Sequence, residues 1–174
     1  MTHPSFRTIL QASGLGMAFN VVFLLLLFIF FKDPLNSTAK GFDFLFYIGL
    51  PVSAAIYYKM RINGGLLSFS ESLVLMTLLN TALLLSTCIV VGLAFSIFPE
   101  ALEQHIAGLL ADLQAKKAQI IKKLPNEAAF EQLLEMAKNR SIGSILFEEI
   151  GLKLMITFFT AIVASTALRK SRPI

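Results

Sequence analysis

Four separate apolar stretches, three of them closed by basic residues, constrain this chain more than any other feature. The most sharply defined, residues 17–31, holds Asn20 as its only polar residue. Aliphatic and aromatic side chains at that density cover every face of a helix, which suits lipid better than one half-buried surface. Charged residues make up 15% of the 174, where a soluble domain carries about 25%. Those charges are gathered in blocks between the apolar runs, and the mean hydropathy is +0.73. The pattern predicts one all-α integral membrane domain over residues 1–174, with no room for a second core.

The first span is predicted over 8–31 and stops at Lys32-Asp33-Pro34, since proline disfavours helical backbone in the residue before it. This run is too long for the core of a signal peptide, and Lys32-Asp33-Pro34 intervenes before the small residues Ser37-Thr38-Ala39. Asn36-Ser37-Thr38 forms a glycosylation sequon, which matters only in a eukaryotic secretory setting. The second span, 42–58, is the shortest. It carries Tyr47, Tyr57 and Tyr58 near its ends, as interfacial aromatics do, and a kinking Pro51 inside. Lys59 to Arg61 and the Gly64-Gly65 turn follow. Ser68-Phe69-Ser70-Glu71 then fits a capping box, serine at the N-cap and glutamate three residues on, opening a third span over 69–98. The fourth, 145–168, begins with Glu148, Glu149 and Lys153 in its first turns and ends at Arg169-Lys170-Ser171-Arg172.

The polar insertion 99–143 separates the last two spans. Pro99-Glu100 is a favourable helix start. Leu102, Ile106, Leu109, Leu113, Ile120 and Leu124 recur at three- and four-residue steps, missing one beat at Lys116-Lys117. That spacing predicts one amphipathic helix of about 24 residues, roughly 36 Å long. Pro125-Asn126 breaks it, and Asn126 is placed to cap a second helix bearing Phe130, Leu133, Leu134 and Ala137. An extramembrane helical hairpin is the expected arrangement, leaving Leu102 and Ile106 beside the membrane as a candidate interaction patch. Arg7, Lys59, Arg61, Arg169, Lys170 and Arg172 collect on the side of both termini against one acid, Glu71, which predicts cytoplasmic termini.

The stretch from Gly49 to Leu79 carries a tyrosine-lysine-x-arginine span end, a Gly-Gly turn, and Leu67-Ser68-Phe69-Ser70-Glu71 opening an apolar helix. With the spans on either side, it resembles the bacterial membrane family catalogued as domain of unknown function 4199. That family is similar in length, in its four spans, in its long polar segment before the last span and in its basic C-terminus. Many of its members are expected to have glycine where this chain has Ser70. The resemblance implies a bacterial inner-membrane protein and no catalytic residues, since the family has no established activity.

Ionisable residues inside a membrane usually mark pumps, channels or intramembrane enzymes. None is expected at a span centre here: Glu71 reads as the cap partner of Ser68, and Glu148 and Glu149 as acids at a positive helix end. The third span instead carries a polar stripe, Thr77, Asn80 or Thr81, and Thr87 or Cys88, expected to bind a neighbouring helix. Asn20 is the expected partner of Asn80. Ala12 with Gly16, Gly49 with Ser53, Gly92 with Ser96 and Ala161 with Ser165 are spaced for close helix packing. Cys88 lacks a neighbouring base and reads as inert. His3 and His105 are too isolated for metal-ligand spacing, and Gly64-Gly65 lacks the lysine of a phosphate loop. No cofactor, metal or enzymatic activity is therefore expected. Despite a pI near 9.3, no basic run is interleaved with aromatics, so lipid and not nucleic acid is the expected partner of the basic ends. The function these features predict is a non-catalytic structural or interaction subunit, whose insertion contacts itself, another membrane protein or the membrane surface. The alternative is a small oligomeric transporter or channel lined by the polar face of the third span.

Overall fold

The computed structural model describes residues 6–35, 42 and 45–170; the sequon at Asn36, His3 and Arg172 lie outside the described residues. The described chain is helical throughout apart from turns and one isolated bridge. Three helices are long and apolar enough to cross a membrane: α1 (Phe6–Phe31), α3 (Phe69–Ile97) and α7 (Ile142–Leu168). Between α1 and α3 runs a composite helix, a π turn at Leu45–Gly49, α2 at Leu50–Tyr57 and a second π turn at Tyr58–Ile62. Pro51 accounts for the first irregularity. It has no N–H to give, and its ring crowds the carbonyl four residues back, that of Tyr47, so this turn is wound wide.

Local chemistry sets the ends of α3. Ser68 Oγ accepts the Glu71 N–H at 3.2 Å while the Glu71 carboxylate accepts the Ser68 N–H at 2.9 Å, the reciprocal cap expected from the sequence. The turn before it needs left-handed backbone at two successive residues, φ 58° at Gly64 and 81° at Gly65, which a side chain would strain. α7 starts three residues earlier than expected. Ser141 and Ser144 cap each other's N–H groups, so the helix opens at Ile142. That shift moves Glu148 and Glu149 out of the first turn and makes Lys153 the twelfth of 27 helical residues.

The insertion also departs from the single long helix expected. It is divided at Lys116 (φ −97°, ψ 6°) into α4 (Pro99–Ala115) and α5 (Lys117–Ile121). The break falls where the apolar seam misses its beat. There Lys117 pairs with Glu127 at 3.0 Å and lies 5.4 Å over the Phe130 ring instead of continuing the seam. The Glu127 carboxylate accepts a hydrogen bond from the Lys117 ammonium and holds its pKa above the ordinary lysine value. α6 (Glu127–Lys138) is capped by Asn126, whose side chain accepts the Ala129 N–H, and packs against α4.

α3 is the central rod, with α1 on one side and α7 on the other. Gly16 of α1 lies against Leu79 and Leu83, and Phe28 stacks 5.1 Å from Phe98, so α1 and α3 run parallel. Gly92 faces Leu146 while Met76 clusters with Ala161, so α7 runs antiparallel to α3. The composite helix also runs down α3, from Tyr47 beside Leu83 to Tyr58 beside Leu75. Four helical segments therefore alternate in direction. One end is tied by backbone bonds between Leu67 and Lys170 and by Lys59 Nζ donating to the Leu168 carbonyl at 2.9 Å. The opposite end is closed by a cluster of Leu35, Val91, Phe95, Ala101 and Ile145. Of the small-residue pairs, Gly16, Ala161 and Ser165 are buried, whereas Ser53 and Ser96 face outward. The outer surfaces of α1, α3 and α7 carry bare Phe30, Ile89 and Phe159, continuous apolar cover of the kind lipid requires.

Candidate functional site

The inward face of α7 is the most polar buried surface described in the chain. Its buried residues are Ile145, Glu149, Lys153, Thr157, Ala161 and Ser165, spaced every four residues along one narrow stripe. α3 buries Ser72, Asn80, Ser86 and Thr87 among leucines, with Ser86 turned to Asn20 of α1. The antiparallel register places Ser72 level with Ser165, Asn80 level with Thr157, and Thr87 between Glu149 and Lys153. A file of polar groups thus runs along the α3–α7 interface.

At the middle of this file the four helical segments meet. Asn20 of α1 is 1% exposed, and its amide donates to Ser86 Oγ at 2.8 Å and Thr87 Oγ1 at 2.9 Å, with the Leu83 carbonyl at 3.3 Å. Thr87 Oγ1 also shares a short hydrogen bond with the Tyr47 hydroxyl. The Tyr47 ring, carried on the π turn, lies 4.8 Å beneath the Lys153 ammonium, a cation–π contact. Lys153 in turn pairs with Glu149 at 3.5 Å along one turn of α7. Both charges are buried, Glu149 to 9% and Lys153 to 6% exposure. Lys153 stands 11 residues from the start of α7, about 16 Å along the axis and near the middle of that 27-residue apolar helix. The expectation that no span centre holds a charge is therefore corrected. Glu149 and Lys153 do not mark the helix start, which lies at Ile142 after the Ser141 cap.

The other residues singled out from the sequence fall as follows. Asn20 crosses to α3 but meets Ser86 and Thr87, not Asn80. Asn80 lies seven residues before Thr87, about 10 Å along the axis, out of reach. Asn80 is itself buried and its Oδ1 has no hydrogen-bond partner, as is also true of Ser72 Oγ and Ser165 Oγ. Thr77 and Thr81 are exposed, and Thr81 returns its hydroxyl to the Thr77 carbonyl, satisfying its own backbone. Cys88 is half-buried and reduced. Leu102 packs against the end cluster of Val91, Phe95 and Ile145, and Ile106 is half-buried one turn on.

A second polar junction fixes the insertion to the body. His105 of α4 contacts both carboxylate oxygens of Asp33, at 3.1 and 3.2 Å, and its ring lies 5.6 Å from Phe95. Asp33 also accepts the Leu35 N–H at 2.9 Å, and Gln104 donates to the Phe31 carbonyl at 2.9 Å. α1 ends there through Lys32 in left-handed backbone, φ 57°. His105, isolated in sequence, thus finds its partner 72 residues away. Among the described residues, no group of three His, Cys, Asp or Glu side chains is arranged to hold a metal ion. No family model matches this chain, and no curated protein or solved structure matches it either.

Proposed function

We propose that this is a non-enzymatic, four-span membrane protein that passes a small polar or charged species along the α3–α7 interface. The observation that carries this reading is the ion pair Glu149–Lys153 buried deep in a file that continues through Thr157, Asn80, Ser72 and Ser165. A neutral hydrophobic pair would pack as stably or better in that position, so buried charge at mid-helix points to use. Three buried polar atoms of the same file lack protein partners, as groups bathed by transient water or solute do. The composite helix is the fourth span in this reading. The basic ends favour cytoplasmic termini, and the resemblance to the bacterial family supports an inner-membrane location. Cysteines placed singly at Asn80, Thr157 and Ser165 in a Cys88→Ser background test it. In liposomes they should react with small membrane-impermeant thiol reagents, because the file is wet. If none reacts while a cysteine at exposed Ser144 does, the file is sealed and the reading fails.

A second reading, an interaction subunit, draws on the insertion. Leu109, Leu113, Leu133 and Met136 line an open groove between α4 and α6, with Met136 64% exposed. This groove is the surface on which a second copy or another membrane protein would be received. Met136→Glu should then break up a complex in mild detergent without altering helix content, and an unchanged complex would remove the groove from consideration.

A further inference from the structure

We infer that the end of the helical body where the composite helix meets the tail of α7 binds the phosphate headgroup of an anionic phospholipid. This site stands apart from the transport reading, since no group of the α3–α7 file belongs to it. Lys59 and Arg61 lie on the second π turn, and Arg169 and Lys170 directly follow the last residue of α7. Backbone contacts fasten the two pairs together. Leu67 and Lys170 exchange N–H to carbonyl hydrogen bonds at 3.1 and 2.9 Å. Lys59 Nζ donates to the carbonyl of Leu168, 109 residues further on, at 2.9 Å. The chain between them is folded back, with the Gly65 N–H on the Lys59 carbonyl at 2.8 Å. Four basic residues from distant parts of the sequence therefore share one end of the body.

Charge at this end is unbalanced. Arg61, Arg169 and Lys170 are exposed, and none of them belongs to an ion pair among the described residues. The acid described at this end is Glu71, and its carboxylate is engaged by the Ser68 N–H at 2.9 Å and the Ser68 hydroxyl at 2.8 Å. Cations gathered with so little acid favour an anion from outside. Two of the three exposed ones are arginines, whose planar N–H forks match phosphate oxygens in pairs. The position selects a lipid over a free anion. The helices that carry these cations also expose Tyr57, Met60 and Ile62 on the composite helix and Val163 on α7. Acyl chains attached to the phosphate cover such surface, and a free phosphate cannot. A headgroup shared by Arg61 and Arg169 also ties the π turn to the α7 tail, reinforcing the Leu67–Lys170 bridge.

Native mass spectrometry of the full-length protein, released from mixed micelles holding equal phosphatidylglycerol and phosphatidylcholine, counts the lipids it retains. A basic side chain at an anionic lipid surface is worth about fivefold in binding, so phosphatidylglycerol should be preferred by about tenfold or more. The triple variant Arg61→Gln, Arg169→Gln, Lys170→Gln, which keeps the backbone bonds of Lys170, should lose that preference with helix content unchanged. Lys116→Gln, Lys122→Gln, Lys123→Gln removes the same charge from the insertion and should leave the preference intact. Glycerol phosphate, the headgroup chemistry without acyl chains, should not displace the bound lipid. If the triple variant does not fold, Arg61→Gln and Arg169→Gln singly must each lower the preference about fivefold. Equal retention of both lipids by the wild type, or a preference that survives loss of the three cations, overturns the inference. So does an equal loss in the insertion variant, which would show net charge at work, or displacement by glycerol phosphate, which would show a site for free anions.

Discussion

Replacing Asn20 by leucine tests whether the centre of the body is held by specific hydrogen bonds or by apolar packing alone. The side chain is fully enclosed, and leucine repeats its branching with the same number of heavy atoms, so the chief loss is polar. The amide has two hydrogens, engaged by Ser86 Oγ at 2.8 Å and Thr87 Oγ1 at 2.9 Å. Interhelical hydrogen bonds in membranes average about 0.6 kcal/mol and reach about 1.7. Two of them put the cost of Asn20→Leu at roughly 1–3 kcal/mol. The hydroxyls left behind add little, because Ser86 still donates to the Leu83 carbonyl and Thr87 still meets Tyr47. Thr87→Val removes one Asn20 bond together with the Tyr47 bond. A double-mutant cycle on the two sites should therefore show a coupling of about 0.6–1.7 kcal/mol. Reversible unfolding in mixed detergent micelles, followed by circular dichroism, measures it. Asn80→Leu serves as the contrast. Its Oδ1 has no protein partner, so its removal should be nearly neutral or stabilising. Additivity of the Asn20 and Thr87 substitutions within about 0.3 kcal/mol would refute the reasoning. So would an Asn80→Leu cost as large as that of Asn20→Leu.

Three further outcomes follow from the geometry. Ser68→Ala should destabilise by about 0.5–2 kcal/mol, while Glu71→Gln keeps most of the cap; equal losses in thermal unfolding would discredit the reciprocal pair. Gly16→Val should cost about 1–3 kcal/mol, since even a Cβ at Gly16 would lie 3.0 Å from a Leu50 methyl and 3.1 Å from a Leu79 methyl. The same substitution at Gly14, with nothing within 4 Å, should be mild. Reporter fusions after Asn126 should give extracytoplasmic signals and those after Asn63 cytoplasmic ones; the opposite pattern would reverse the orientation.

Much of the architecture was legible because each piece of it depends on neighbours in sequence. Apolar runs found α1, α3 and α7, and the Ser68–Glu71 cap located the start of α3 to the residue, since a cap needs only a four-residue window. The second segment was legible as an apolar run, but its two π turns were not: Pro51 announced a kink without saying that the widened turn would carry Tyr47. The site was harder to read, because it depends on levels, meaning which residue of one helix stands beside which residue of another. Asn20 and Asn80 are alike chemically and were paired on that ground. Only the parallel packing of α1 on α3, set by Gly16 against Leu79 and Leu83, shows that Thr87 and not Asn80 stands beside Asn20. Lys153 shows a different failure. Charges next to an apolar run were read as its boundary, and the true boundary was hidden in Ser141-x-x-Ser144, a cap without the usual glutamate. One local signal did point the other way. Glu149, Lys153, Thr157 and Ser165 fall at four-residue multiples, and a helix that merely began at those charges would have no reason to keep them in line with polar residues three turns further on. Polar residues repeating in phase along an otherwise apolar helix place a charge inside the helix, facing a neighbour, rather than at its end.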